Sequence, residues 1–129
     1  MPHPHEQLLR TNYEAFTKGD VSPMLDSFAD DIQWHVSGRS PVAGDYSGKA
    51  EVLDFFSKMM DLYGGTLRLE VIDVFANDEH GIVITRESAE FAGQPLEYSG
   101  IHRWEFDGEN CVRFQNYTDD TYDEFWATA

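Results

Sequence analysis

Leu96, Tyr98, Gly100, His102, Trp104 and Phe106 alternate with Glu97, Ser99, Ile101, Arg103 and Glu105. Successive side chains on a strand point to opposite faces, so this run reads as one long strand with a buried and a solvated face. The first set is the inward one. Such a strand needs partners, and Leu67 to Ala76, Ile82 to Phe91 and Cys111 to Thr118 share its period of two. Ala92-Gly93 is a tight turn. A two-residue turn there sets Val83, Thr85, Glu87 and Ala89 beside His102, Gly100, Tyr98 and Leu96, which makes Glu87 an inward carboxylate. On the other side, a three-residue loop around Gly108 pairs Phe114 with His102 and turns Val112, Phe114, Asn116 and Thr118 inward. A one-residue slip brings in Arg113, Gln115, Tyr117 and Asp119 instead.

The first half of the chain is mostly helical in period. Leu8, Leu9, Tyr13 and Phe16 recur at helical spacing up to Gly19, and Ser22-Pro23 opens a short second helix carrying Met24, Leu25 and Phe28. Ile32, Trp34 and Val36 then alternate as a strand, and Gly38 to Gly48 reads as a loop at a pocket mouth. A third helix spans about Lys49 to Tyr63 with Val52, Phe55, Phe56, Met59 and Tyr63 on one face, closed by Gly64-Gly65. Asp119 to Trp126 predicts a short C-terminal helix. The fold class is therefore α+β: three N-terminal helices cover a curved antiparallel sheet, enclosing a cone that suits one small ligand.

Composition bounds the function. With 129 residues and 14% aromatic content the chain suits one domain over 1–129, residues 1–5 being a loose lead-in and His3 and His5 tail residues. A formal charge of −15 argues against nucleic acid and anionic membranes as partners, because both demand basic patches. The single cysteine, Cys111, forms no internal disulfide, and no Cys/His cluster has zinc spacing, so we expect no metal, no cofactor and a cytoplasmic location. No stretch reaches the length of an apolar membrane span.

Leu8-Leu9-Arg10, Tyr13-Glu14-Ala15-Phe16, Gly19-Asp20, Phe28-Ala29-Asp30-Asp31-Ile32, Trp34-His35, Ser40-Pro41, Ala43-Gly44, Tyr46, Gly48 and the ending Asp123-Glu124-Phe125-Trp126 carry a resemblance over nearly the whole chain. The sequence resembles the SnoaL-like group of the nuclear-transport-factor-2-like superfamily, which includes ketosteroid isomerases and polyketide cyclases. The resemblance implies a cone-shaped pocket and a homodimer formed through the outer sheet face, with Ile84, Ile101 and Tyr117 covered and Arg86, Arg103 and Arg113 pairing with acids. Fold alone does not choose among the activities of such a superfamily. By the same resemblance, the base, tyrosine and acid of ketosteroid isomerases fall at Val36, Asn12 beside Tyr13, and His102. The network of limonene-type epoxide hydrolases falls at Glu87, Ala89 and Asn116. The acid of SnoaL-type cyclases also falls at Asn116, and an amide there only hydrogen-bonds.

His102 and Glu87 remain as the acid/base candidates. Imidazole exchanges protons near neutral pH, and burial is expected to raise the Glu87 carboxyl toward that range. Tyr13 and Tyr98 are candidate donors to a carbonyl oxygen. Trp34, Phe56, Met59, Trp104, Phe114, Asn116 and Trp126 are expected around a ligand, with Phe55, Met60 and Phe125 adding to the apolar lining. His35 joins them only if a bulge turns it inward. Each has a plain structural alternative, since inward aromatics and histidines are commonly core. The reading is a pocket for a small hydrophobic carbonyl compound, with cofactor-free proton transfer of isomerase, cyclase or dehydratase type. The alternatives are a non-catalytic ligand-binding or dimerisation domain and, less well supported, an epoxide hydrolase.

Overall fold

The computed structural model describes residues 3–128. The helices are α1 (Pro4–Thr17), α2 (Ser22–Asp26), α3 (Gly48–Tyr63) and α4 (Asp120–Thr128). The strands are β1 (Phe28–Val36), β2 (Gly44–Ser47), β3 (Arg68–Ala76), β4 (His80–Phe91), β5 (Gln94–Asp107) and β6 (Asn110–Thr118). They form one sheet in the order β2-β1-β6-β5-β4-β3. The α+β class stands, but the sheet is mixed rather than antiparallel: β1 runs parallel to β6. Sequence periodicity reports faces, not strand direction, so this pairing of the two ends of the chain was invisible in it. β2 also occupies part of the expected loop, pairing with β1 at Trp34 and Tyr46.

The β4–β5 hairpin has the expected register, with Val83, Thr85, Glu87 and Ala89 opposite His102, Gly100, Tyr98 and Leu96. β6 keeps its expected parity at the centre but slides along β5. Trp104 pairs with Phe114 and His102 with Asn116, instead of Phe114 with His102. An irregularity between Glu105 and Phe106 then brings Cys111, rather than Val112, opposite Phe106 and into the core. A bulge inserts one unpaired residue and locally resets which side chains face inward.

Residues 3 to 5 are not a loose lead-in. The His3 side chain accepts from the His5 amide and caps α1, with Pro4 at its first turn. His3 Nε2 lies 2.7 Å from Asp78 Oδ1, and the His5 ring stacks on Phe106 while its two nitrogens meet the carbonyls of Asn77 and Gly108. These contacts pin α1 across the β3–β4 and β5–β6 turns; Met1 and Pro2 lie outside the described residues. At the second helix Phe28 belongs to β1, because α2 ends at Asp26. α3 stops at Gly64, whose φ of 58° is the left-handed conformation that glycine adopts without a Cβ clash.

The main core packs α1, α2 and α3 onto the inner sheet face around Leu9, Ile32, Val52, Val74, Val83 and Trp104. Trp34 stacks on Phe114 with ring centres 3.8 Å apart, an arrangement worth about 0.5–1.5 kcal/mol beyond area burial. A second cluster of Tyr63, Ala89, Leu96, Tyr98, Tyr122 and Trp126 closes the α4 end. No helix of the described residues is long and apolar enough to cross a membrane.

Candidate functional site

Between α1, α3 and the inner face of β4, β5 and β6 lies a cavity of about 70 Å³. Its apolar wall includes Trp34, Phe56, Met59, Trp104 and Phe114, and its polar wall includes Tyr13, Glu87, Tyr98, His102 and Asn116. The strand register creates this grouping. His102 sits opposite Val83 on one side and Asn116 on the other, and Glu87 sits opposite Tyr98, two inward positions along from His102 with Gly100 between them. α1 lays Tyr13 over the same spot.

Tyr13, His102, Glu87 and Tyr98 lie in one chain of contacts. The Trp104 indole N–H donates to the Tyr13 hydroxyl at 3.0 Å, and that hydroxyl lies 2.5 Å from His102 Nδ1. An indole nitrogen only donates, so it occupies a lone pair of the phenol and leaves the phenol's own proton for Nδ1. This network assigns the neutral imidazole its proton on Nε2. Nε2 in turn lies 3.5 Å from Glu87 Oε2. That separation is long for a hydrogen bond, so the Nε2–H faces the carboxylate without being fully engaged by it and stays able to meet a ligand.

Glu87 is buried, yet its carboxylate is well supplied with donors. Thr85 Oγ1 donates to Oε2 at 2.9 Å and the Tyr98 hydroxyl to Oε1 at 3.3 Å. Burial pushes its pKa up, but His102, Thr85 and Tyr98 outweigh burial and hold the carboxyl below its ordinary range. The sequence expectation of a raised Glu87 is therefore corrected: on the sequence burial was visible and the donors were not. Burial drives Tyr13 and Tyr98 well above the usual phenol value, so both hydroxyls stay protonated. Their protons go to His102 and Glu87, which removes them as free donors to a carbonyl oxygen.

Asn116 also lines the cavity. Its Oδ1 accepts from the Ser37 amide at 2.7 Å, which fixes which way the side chain is flipped and leaves Nδ2 on the other side. Ser37 Oγ adds a bond to the Asn116 carbonyl at 2.8 Å.

Residues 9–114 match the SnoaL-like domain family. The chain belongs to that family. A solved structure, Bal32a from a soil-derived mobile gene cassette, is 30% identical, with a TM-score of 0.84 and 93% of this chain and 94% of that one covered. A nuclear-transport-factor-2-like protein of unknown function from Burkholderia pseudomallei superposes with a TM-score of 0.83 at 25% identity, covering 95% and 96% of the two chains. An uncharacterized Mycobacterium tuberculosis protein is 27% identical over 123 residues, 93% of this chain and 94% of that protein.

Within this SnoaL-like domain the structure gathers Tyr13, Trp34, Phe56, Met59, Glu87, Tyr98, His102, Trp104, Phe114 and Asn116 around the cavity. Four expected residues, His35, Trp126, Phe125 and Met60, fall elsewhere. His35 stays on the outer side of β1 and pairs with Asp45 at 2.7 Å, because the strand is regular there and no bulge turns the ring inward. Trp126 packs in the second cluster against Phe91 and Phe125. Met60 also leaves the lining, at 57% exposed, since it lies on the solvent side of α3. Three contributors escaped sequence reasoning. Thr85 and Ser37 act only through partners fixed by register and loop path. Gly100 carried a signal: it interrupts the inward row between Tyr98 and His102, and a Cβ there would stand 2.9 Å from both Glu87 Oε2 and Thr85 Oγ1.

Proposed function

We propose that this SnoaL-like domain binds a small hydrophobic carbonyl compound and moves a proton on the carbon beside the carbonyl, without a cofactor. The observation that carries the reading is the convergence of Glu87 and His102 on an apolar cavity, with Tyr13 and Trp104 behind the imidazole. Glu87, kept ionised, is the base that takes the proton from carbon. The His102 Nε2–H and Asn116 Nδ2–H donate to the oxygen as it becomes an enolate. Where the substrate carries a β,γ double bond, the Glu87 carboxyl then returns the proton to the γ-carbon of the dienolate, so the double bond moves into conjugation and the isomerisation closes with no net change in atoms or charge. In a saturated ketone the proton returns to the same α-carbon and the step is simple exchange. A positioned base is worth about 10²–10⁴-fold in rate, and donors aimed at the developing oxyanion add to it. Tyr13 is a positioning residue that sets the histidine tautomer.

The test is hydrogen–deuterium exchange at the carbon beside the carbonyl of small ketones in D₂O, followed by proton NMR. The wild type accelerates exchange, and Glu87→Gln loses at least about a hundredfold of that acceleration. Equal exchange by both proteins overturns the acid/base reading and leaves a non-catalytic binding domain.

The outer sheet face supports a homodimer as a second part of the proposal. Phe75, Ile101 and Tyr117 are about half exposed there, beside Arg113 paired with Glu105 at 2.8 Å. Apolar side chains grouped on one sheet face fit a self-complementary contact. Sedimentation yielding only a 14.8 kDa species at micromolar concentration overturns it. The single, buried Cys111 fits the reducing cytoplasm.

A further inference from the structure

A cavity of about 70 Å³ holds a few waters or the compact head of a ligand, well short of the roughly 300–1,000 Å³ of pockets that enclose drug-sized molecules. A second, larger hollow of about 570 Å³ lies on the other side of one wall of that cavity, between the end of α1, α3 and the start of β3. Phe16, Phe56, Met59 and Leu67 line both spaces. The outer hollow adds Leu53 and Met60, two side chains of α3 that are half exposed. In a chain of charge −15, no carboxylate lines this hollow among the described residues; its one charged wall is Arg68, whose guanidinium is tied to the carbonyls of Gly65 and Leu67.

We infer that the site is bipartite: the inner cavity takes the carbonyl head and the outer groove takes an unbranched apolar chain attached to it, passing between Phe16, Phe56, Met59 and Leu67. The inference rests on the carbonyl reading above and names its substrate class, a carbonyl compound with a hydrocarbon tail. Three observations support the occupant. The head space is too small for a whole hydrophobic metabolite, the groove shares four side chains with it, and no carboxylate lines the groove among the described residues although the chain carries a charge of −15. Of the shared side chains Met59 is the hinge: with three rotatable bonds and no branch, it moves aside at little cost. An apolar chain laid along Leu53 and Met60 removes from water surface that the fold leaves bare.

The experiment measures binding of unbranched methyl ketones, from 2-butanone to 2-nonanone, by calorimetry and tryptophan fluorescence. Affinity rises by about two- to fourfold per added methylene once the chain outgrows the inner cavity, the upper figure being that of a fully buried methylene. Leu53→Glu and Met60→Lys flatten this increment while leaving 2-butanone binding unchanged. The two substitutions carry opposite charges at exposed helix positions, so a shared effect reports lost apolar contact rather than a change of field. Binding of 2-butanone with no chain-length increment overturns the groove and leaves the carbonyl site standing. Failure of every ketone to bind overturns the carbonyl reading and the groove with it. A concentration-dependent dimer that Leu53→Glu dissolves assigns the groove to a second copy of the chain and also overturns the inference.

Discussion

The Tyr13 hydroxyl lies 2.5 Å from Nδ1 of His102 and joins the first helix to the centre of the longest strand at a fully enclosed point. One oxygen serves two partners there, since Trp104 also donates to it. Tyr13→Phe therefore leaves an indole N–H and an imidazole nitrogen buried without partners. An unmade buried hydrogen bond costs roughly 1–3 kcal/mol, so urea unfolding should show a loss of at least that size. The substitution also frees the imidazole to carry its proton on Nδ1. Nitrogen chemical shifts of His102 should move from the Nε2–H pattern to a mixture, and exchange at the ketone carbon should fall by more than the folded fraction does. Unchanged nitrogen shifts sink the positioning role.

Much of this geometry was legible in the chain. The alternation from Leu96 to Phe106 and the Ala92-Gly93 turn placed Glu87, His102 and Tyr98 on one face, because side-chain parity in a hairpin follows from turn length. The last strand was legible in parity and wrong in register, because an irregularity near Phe106 leaves no sequence mark that separates it from a longer turn. The parallel β1–β6 pair and the His3 and His5 anchors were not legible. They join residues far apart in the chain, and nothing local to either partner reports them. The ionisation of Glu87 was hidden for a different reason: Thr85 lies two residues away on the same strand face, but whether its hydroxyl donates to the carboxylate depends on both rotamers, which the local sequence does not set.

Glu87 also makes stability depend on pH. Its carboxyl is held below the ordinary value of 4.5, the unfolded reference, so the native state releases this proton more readily than the unfolded chain. The resulting stabilisation is fully present above about pH 4.5 and is lost as pH falls from there through the lower native value. Urea midpoints measured between pH 7 and pH 3 should drop more steeply for the wild type than for Glu87→Gln, which has no proton to take up. Parallel curves for the two proteins refute the assignment.

Gly100 leaves room for the carboxylate. Its backbone is ordinary strand, so alanine is acceptable in conformation and the cost is purely one of space: a Cβ 2.9 Å from Glu87 Oε2 and 2.9 Å from Thr85 Oγ1 forces the pair apart. Overpacking of this kind typically costs about 1–3 kcal/mol. Gly100→Ala should lose that much in urea unfolding and most of its exchange activity, because the displaced carboxylate no longer meets the ligand. Adding Glu87→Gln should then cost little further activity, since both changes remove the same base. Full additivity of the two losses would separate Gly100 from Glu87.

Two buried tryptophans offer a matched comparison. Trp104 Nε1 donates to Tyr13, whereas Trp34 Nε1 is buried without a partner although its ring stacks on Phe114 and meets Phe56 and Trp104 edge-on. Phenylalanine at either position removes a similar amount of ring and the same N–H. At Trp34 the lost packing is offset by removing an orphan donor, whose burial costs roughly 1–3 kcal/mol. At Trp104 the lost packing adds to a broken hydrogen bond and leaves the Tyr13 oxygen short of a donor. Trp104→Phe should therefore be the more destabilising by at least about 1 kcal/mol in urea unfolding. It should also lower exchange activity, because Tyr13 loses the contact that directs its proton to His102, while Trp34→Phe changes only the shape of the apolar wall. Equal losses at the two positions would mean that packing alone sets the stability of this wall and that the Trp104 hydrogen bond contributes nothing measurable to it.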